Sequence, residues 1–151
     1  MKRGFVLALL LTEDGGRVVL MRRTRPAWQA GRVNALGGSI MEGESAVSAA
    51  RREVREECGV DVVEWRELVT WDDAEYRMVV LSSMSARAAE ARTLEDQEVF
   101  LADVRALPEN VIDNLRWLVP LALDRDVEFP IAVRSARVEG SGLTERDRTR
   151  S

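Results

Sequence analysis

Residues 5–11 form an unbroken apolar run, Phe-Val-Leu-Ala-Leu-Leu-Leu, whose length and lack of polar interruption predict a buried strand. Glu13-Asp14-Gly15-Gly16 is a turn signal. Arg17–Arg23 then returns as a second strand, so the two are expected to pair as a hairpin. Thr24–Arg32, with Pro26, Trp28 and Gly31, reads as a loop. Val33–Leu36 reads as a short extended piece ending at Gly37-Gly38, and Ser39–Glu44 as a tight loop. Ala46–Cys58 is rich in Ala, Arg and Glu and is the best helix in the chain, with Ser45 at its N-cap and Gly59 just past its end. Val60–Thr70, Glu75–Met84 and Gln97–Ala102 read as further strands, and Ala86–Ala91 as a loop or short helix. A second helix is expected over Val111–Leu123, introduced by Pro108 and Asn110. After Pro130 the hydrophobic pattern fades. Helices interleaved with hairpin-like strands predict an α/β fold, a mixed sheet flanked by helices.

The 151 residues suit one domain, read here as residues 1–133 followed by a charged, mobile tail over residues 134–151. The net charge of −4 argues against a nucleic-acid polymer as partner, since that role needs a basic surface. The apolar run at the N-terminus is too short for a membrane span and is followed by Thr12-Glu13-Asp14 instead of a cleavage site. With Cys58 as the single cysteine, no internal disulfide can form. These features predict a cytoplasmic protein with no membrane partner, either monomer or homodimer.

Histidine is absent, which excludes an imidazole base and His-ligated zinc. A metal must then rest on oxygen ligands, which suit magnesium, manganese or calcium. On the helix over Ala46–Cys58, at 100° per residue, Glu53, Glu56 and Glu57 share an arc of about 100°. Val47, Ala50, Val54 and Cys58 form the core-facing stripe beside it, while Arg51 and Arg55 point to solvent. A charged arc of this kind is often no more than a solvated helix face. Like charges one turn apart repel by roughly 0.2–0.5 kcal/mol per pair, however, so at the border of a core they call for a counterion. The Gly-rich loop before the helix can bring backbone groups to the same place.

Residues 38–60 read Gly-Ser-Ile-Met-Glu-Gly-Glu-Ser-Ala-Val-Ser-Ala-Ala-Arg-Arg-Glu-Val-Arg-Glu-Glu-Cys-Gly-Val. This resembles the signature of the Nudix hydrolases, G-x5-E-x7-R-E-U-x-E-E-x-G-U, where U is aliphatic. Gly38, Glu44, Arg52, Glu53, Glu56, Glu57 and Gly59 fill every fixed position, and Val54 and Val60 the aliphatic ones. Seven such matches arise by chance on the order of 10⁻⁸ per starting position, so the signal is specific. The resemblance implies an α/β/α sandwich and hydrolysis of a nucleoside diphosphate linkage. It implies that Glu53, Glu56 and Glu57, with the carbonyl of Gly37, hold Mg²⁺ or Mn²⁺. It gives Arg52 the task of orienting Glu56 and Glu44 that of tying loop to helix. The general base is a box glutamate or a later one, with Glu95 and Glu98 as candidates and Glu98 the choice made here.

The flank Gly31-Arg32-Val33-Asn34-Ala35-Leu36-Gly37-Gly38 is similar to the G-R-x-N-G-x-G-G stretch of MutT-like oxidised purine nucleoside triphosphatases, in which the Asn reads the base. Ala35 departs from that pattern, and the Trp those enzymes carry before the last helix is missing from Ile112-Asp113-Asn114. The implied substrate is a (d)NTP, with Asn34 at the base, Trp28 or Trp71 stacking, and Arg22, Arg23 and Arg25 on the phosphates. An Asn bonded to its own loop and a solvated basic strand end are the plainer readings of the same residues. The alternatives are a hydrolase of ADP-ribose, a nucleotide sugar or a dinucleotide, and, more remotely, a nucleotide sensor without catalysis.

Overall fold

The computed structural model describes residues 2–136 of the chain. Its elements are β1 (Arg3–Leu11), β2 (Arg17–Arg22), β3 (Val33–Asn34), β4 (Leu36–Ser39), α1 (Ala46–Cys58), β5 (Arg66–Asp72), β6 (Tyr76–Met84), β7 (Val99–Asp103), α2 (Leu115–Ala122) and β8 (Ile131–Arg134). Two 3-10 turns, Ala27–Gln29 and Ala86–Glu90, complete the set.

All eight strands join one mixed sheet, with the path β3-β2-β1-β6-β5-β8 and with β4 on β1 and β7 on β2. β1 pairs parallel with β6 along its whole length, Arg3 opposite Tyr76 through Leu11 opposite Met84. Its other edge is shared. Phe5–Ala8 pair antiparallel with Ser39–Leu36 of β4, and only Leu11 pairs with Val18 of β2. The expected β1–β2 hairpin therefore forms at its turn and then splays, and β2 finds its main partner in β7.

The unbroken apolar character of β1 has a structural cause, because both of its faces are covered. Leu7, Leu9 and Leu11 pack in a core with Leu115, Leu118, Val119 and Ala122 of α2. Val6, Ala8 and Leu10 pack in a second core with Ala49, Ala50, Val54 and Cys58 of α1. A helix thus lies on each side of the mixed sheet, the α/β/α arrangement expected.

α1 has the predicted limits. The Ser45 hydroxyl accepts the Ser48 N–H at 3.1 Å, a cap worth about 1 kcal/mol. Gly59 ends the helix in the left-handed region at φ +77°, donating its N–H to the Arg55 carbonyl. Of the predicted core stripe, Ala50, Val54 and Cys58 are buried with Ala49, while Val47 only borders the core.

Several boundaries differ from the sequence pattern. The Val33–Leu36 piece divides into β3 and β4, and the two glycines lie inside β4. Val60 and Val62 are buried against the α1 core without joining a strand, and β5 starts only at Arg66. The second helix starts at Leu115 instead of Val111, because Val111 bridges Val33 and Ile112 donates its N–H to the Val33 carbonyl. β8 falls where the apolar pattern fades. It is a short outer strand whose pairing comes from β5, Val69 opposite Ile131 through Asp72 opposite Arg134. The boundary placed after residue 133 falls at the end of this strand, and Ser135 still donates its N–H to the Asp72 carbonyl at 2.8 Å. The rest of the expected mobile tail, residues 137–151, lies outside the described residues. Among the described residues no helix is long and apolar enough to cross a membrane.

Candidate active site

The signature helix meets β4 at the edge of the sheet. β4 is held on β1 with Gly38 opposite Val6 and Gly37 opposite Leu7, and α1 packs over it. A side chain at Gly38 would displace the Glu53 carboxylate, since a Cβ there would stand 2.5 Å from Glu53 Oε1. The bare glycine backbone is what lets the Glu53 carboxylate lie against the strand.

Arg52 organises the acidic groups. Its Nε and Nη2 donate to both oxygens of Glu44, at 2.9 and 3.0 Å, and Nη2 also reaches the Ser39 carbonyl at 2.8 Å. Nη1 donates to Glu53 Oε1 at 2.9 Å and to Glu56 Oε2 at 3.4 Å. The residue expected to orient Glu56 therefore holds Glu44 and Glu53 more closely. Glu44 also accepts the Met41 N–H, so its carboxylate bridges the loop and Arg52 of the helix. Its bond to Arg52 comes first, and that N–H second, in holding the Glu44 carboxyl below the usual carboxylate range.

Glu57 lies deeper, with 13% of its side chain exposed. Its Oε1 accepts the Gly37 N–H at 2.8 Å and its Oε2 accepts Arg23 Nη1 at 3.1 Å. Arg23 Nη2 donates to the Ala35 carbonyl, and its buried Nε finds no partner. Burial dominates at Glu57 and pushes its pKa up to about 7, against the pull of Arg23 and the Gly37 N–H. Burial also raises Glu53, opposed by Arg52.

A cleft of about 250 Å³ opens over these groups. Glu53, Glu56, Glu57 and Gly37 form its acidic wall, and Met21, Arg23 and Arg25 face them from the β2 side. Glu95 and Gln97 close it from the loop before β7. Of the two late glutamates, Glu95 reaches the cleft. Glu98 is outside its lining, its carboxylate 3.6 Å from Arg22 and 62% exposed. Arg22 likewise turns away, its guanidinium over the Phe100 ring. Trp28 is half-exposed in the 3-10 turn and does not line the cleft. Trp71, the other stacking candidate, is a β5 residue packed on Trp117 with ring centroids 5.5 Å apart.

Asn34 sits in β3, buried, with its Oδ1 on the Ala35 N–H at 2.8 Å and its Nδ2 on Gln29 Oε1 at 3.2 Å. Asn114, before α2, is the polar group that sequence reasoning missed. It is 8% exposed and its Oδ1 has no hydrogen-bond partner among the described residues. An Asn next to a helix start is ordinarily read as a cap, and this one makes no side-chain cap bond.

The donor set around the acidic wall is all oxygen, as a hard divalent cation requires. Among the described residues no three acidic side chains are set closely enough to hold one ion between them. In this arrangement Arg52 and Arg23 engage the glutamates instead. Mg²⁺ needs only one or two carboxylates besides water and phosphate oxygens. A buried Glu57 that is costly to ionise next to Glu53 is the electrostatic setting that a cation relieves, so the residues fit.

The NUDIX domain family model matches residues 1–131. Among solved structures, the chain is similar to the MutT NUDIX hydrolase from Burkholderia pseudomallei, at TM-score 0.67 and 23% identity, over 80% of this chain and 98% of that one. It is also similar to a chain from a structure and function analysis of MutT from Aliivibrio salmonicida and Vibrio cholerae. There the TM-score is 0.62 at 18% identity, over 81% of this chain and 97% of that one. No curated protein sequence matches. The chain belongs to the Nudix family and has the mixed-sheet, two-helix fold of the MutT hydrolases.

Proposed function

We propose that the protein is a Mg²⁺-dependent nucleoside triphosphate pyrophosphohydrolase that converts a (d)NTP, oxidised purine nucleotides included, to a monophosphate and pyrophosphate. The observation that carries the reading is the acidic wall of Glu53, Glu56 and Glu57 facing Arg23 and Arg25 across one cleft. Glu53, Glu56 and Glu57, with the Gly37 carbonyl, are the groups to hold Mg²⁺, or Mn²⁺ in its place. When bound, the metal neutralises diphosphate charge and lowers the pKa of a coordinated water.

The chain's own residues do the rest. Arg52 keeps Glu53 and Glu56 aimed while fixing the loop through Glu44. Arg23, paired with Glu57, and Arg25 bring positive charge to the cleft beside the carboxylates, where they can meet phosphate oxygens. Glu95 replaces Glu98 as the proposed late general base, because it alone of the two lines the cleft.

The base would be read by Asn34 and Asn114. The two lie close to the strand-like contact of Val33 with Val111 and Ile112. Asn34 Nδ2 is freed by displacing the Gln29 side chain, and Asn114 offers an unused acceptor.

The test is a screen with Mg²⁺ of nucleoside triphosphates, oxidised nucleotides, ADP-ribose, nucleotide sugars and dinucleotides, with products identified. Monophosphate and pyrophosphate from a triphosphate are expected. Turnover of a nucleotide sugar, ADP-ribose or a dinucleotide with none of any triphosphate would sink the substrate assignment.

A further inference from the structure

Gln97 is a polar residue in the cleft that neither the signature nor its flank points to. It is 7% exposed, yet it lines the cleft with Arg23, Arg25 and the three glutamates. Its Oε1 accepts the backbone N–H of Thr24 at 3.2 Å. That bond decides which way the amide faces, because a backbone N–H can meet only the oxygen. The Nε2 then points elsewhere, and it makes no hydrogen bond within the described residues. The Nε2 is not among the buried polar atoms left without a partner, so it opens to the solvent of the cleft and is a donor available to whatever enters it.

The surroundings say what that is. Thr24 stands between Arg23 and Arg25 in the chain. Its hydroxyl and the Arg25 guanidinium are tied to Asp96, next to Gln97, with Arg25 Nη1 to Asp96 Oδ2 at 3.0 Å. The loop before β7 and the end of β2 are thus stapled together at three consecutive residues, Glu95 joining them at 3.8 Å from Arg25. The staple sets the Gln97 amide on the cleft wall shared with Arg23 and Arg25. An N–H donor beside two guanidinium groups suits an anionic oxygen.

We propose that Gln97 is a substrate-binding residue whose Nε2 donates to a phosphate oxygen of the nucleotide, with the Thr24 N–H holding the amide in position. The assignment rests on the phosphoanhydride reading of the cleft, but not on which nucleoside is carried.

The test uses full-length protein and inorganic pyrophosphate with Mg²⁺ as the probe, followed by calorimetric titration and by thermal unfolding. Q97E keeps the acceptor for Thr24 and removes the donors but adds a negative charge to the cleft, so the uncharged Q97M is measured beside it and weakening in both is required. We expect Q97E to bind pyrophosphate at least ten-fold more weakly with little change in the unfolding temperature of the free protein. Q97M, similar in shape and uncharged, should bind at least five-fold more weakly and serves if Q97E does not fold. In turnover the loss should appear in KM before kcat. Pyrophosphate binding equal to the native protein in either folded variant overturns the assignment, as does failure of the native protein to bind pyrophosphate. Absence of triphosphate turnover by the native protein would instead count against the substrate proposed above, and the titration would still report on Gln97.

Discussion

Replacing Glu57 with Gln should separate stability from activity. In the metal-free protein, burial holds the Glu57 proton until a pH of about 7, whereas an ordinary glutamate releases it near 4.5. Between those values the folded chain binds more protons than the unfolded chain. Stability contributed by the neutral carboxyl is fully present below 4.5 and is lost as pH rises toward 7. A difference of about 2.5 pH units, at ~1.4 kcal/mol each, amounts to about 3 kcal/mol. For a domain of this size that is roughly 8–10 °C in Tm. Gln is neutral at every pH, so the gap between Glu57→Gln and the native protein should widen by that amount between pH 4.5 and 8. Glu53 and the other carboxylates titrate in both proteins and cancel in the comparison. The assay is thermal unfolding in chelator across that range, repeated with excess Mg²⁺. With metal the native slope should flatten, because a cation stabilises the ionised form. Turnover should nevertheless fall on the order of 100-fold or more in the variant. Parallel stability curves for the two proteins in chelator would refute the claim that Glu57 is buried at a cost.

Three further substitutions probe the supports of the site. Gly38→Ala places a methyl 2.5 Å from the end of the Glu53 side chain, which can move aside. Its Tm should change by only about 1–3 °C while Mg²⁺ affinity and turnover fall roughly 10-fold or more, measured by titration and rate. Arg52→Lys loses the fork that joins Glu44 to Glu53 and should cost about 10–100-fold in kcat. Full activity in that variant would remove Arg52 from its positioning role. Gly59→Ala forces a side chain to φ +77° and against the Arg92 guanidinium, and should destabilise by about 1–2 kcal/mol in denaturant unfolding with kcat unaffected.

The parts of the protein legible in the sequence are those determined locally. The both-sides-apolar run of β1, the cap at Ser45 and the left-handed stop at Gly59 are short-range demands of backbone and solvent. The order Glu44, Arg52, Glu53, Glu56, Glu57 is likewise local, because one helix and the loop before it carry all five. Helical periodicity alone therefore groups the acids on one arc.

What the sequence did not determine depends on partners far along the chain. β8 has weak apolar alternation and exists through main-chain pairing with β5. The start of α2 is delayed because Val111 and Ile112 find Val33. Glu95 and Glu98 are three residues apart on one acidic stretch, and only the packing of the loop against Thr24 and Arg25 sends one to the cleft and leaves the other outside. Arg22 ends β2 and Arg23 follows just beyond the strand, and the chain there sends Arg23 to Glu57 while Arg22 lies over Phe100. Gln97 shows the limit most plainly. Nothing near it in sequence marks it as functional, and its exposed donor follows from one hydrogen bond across 73 residues.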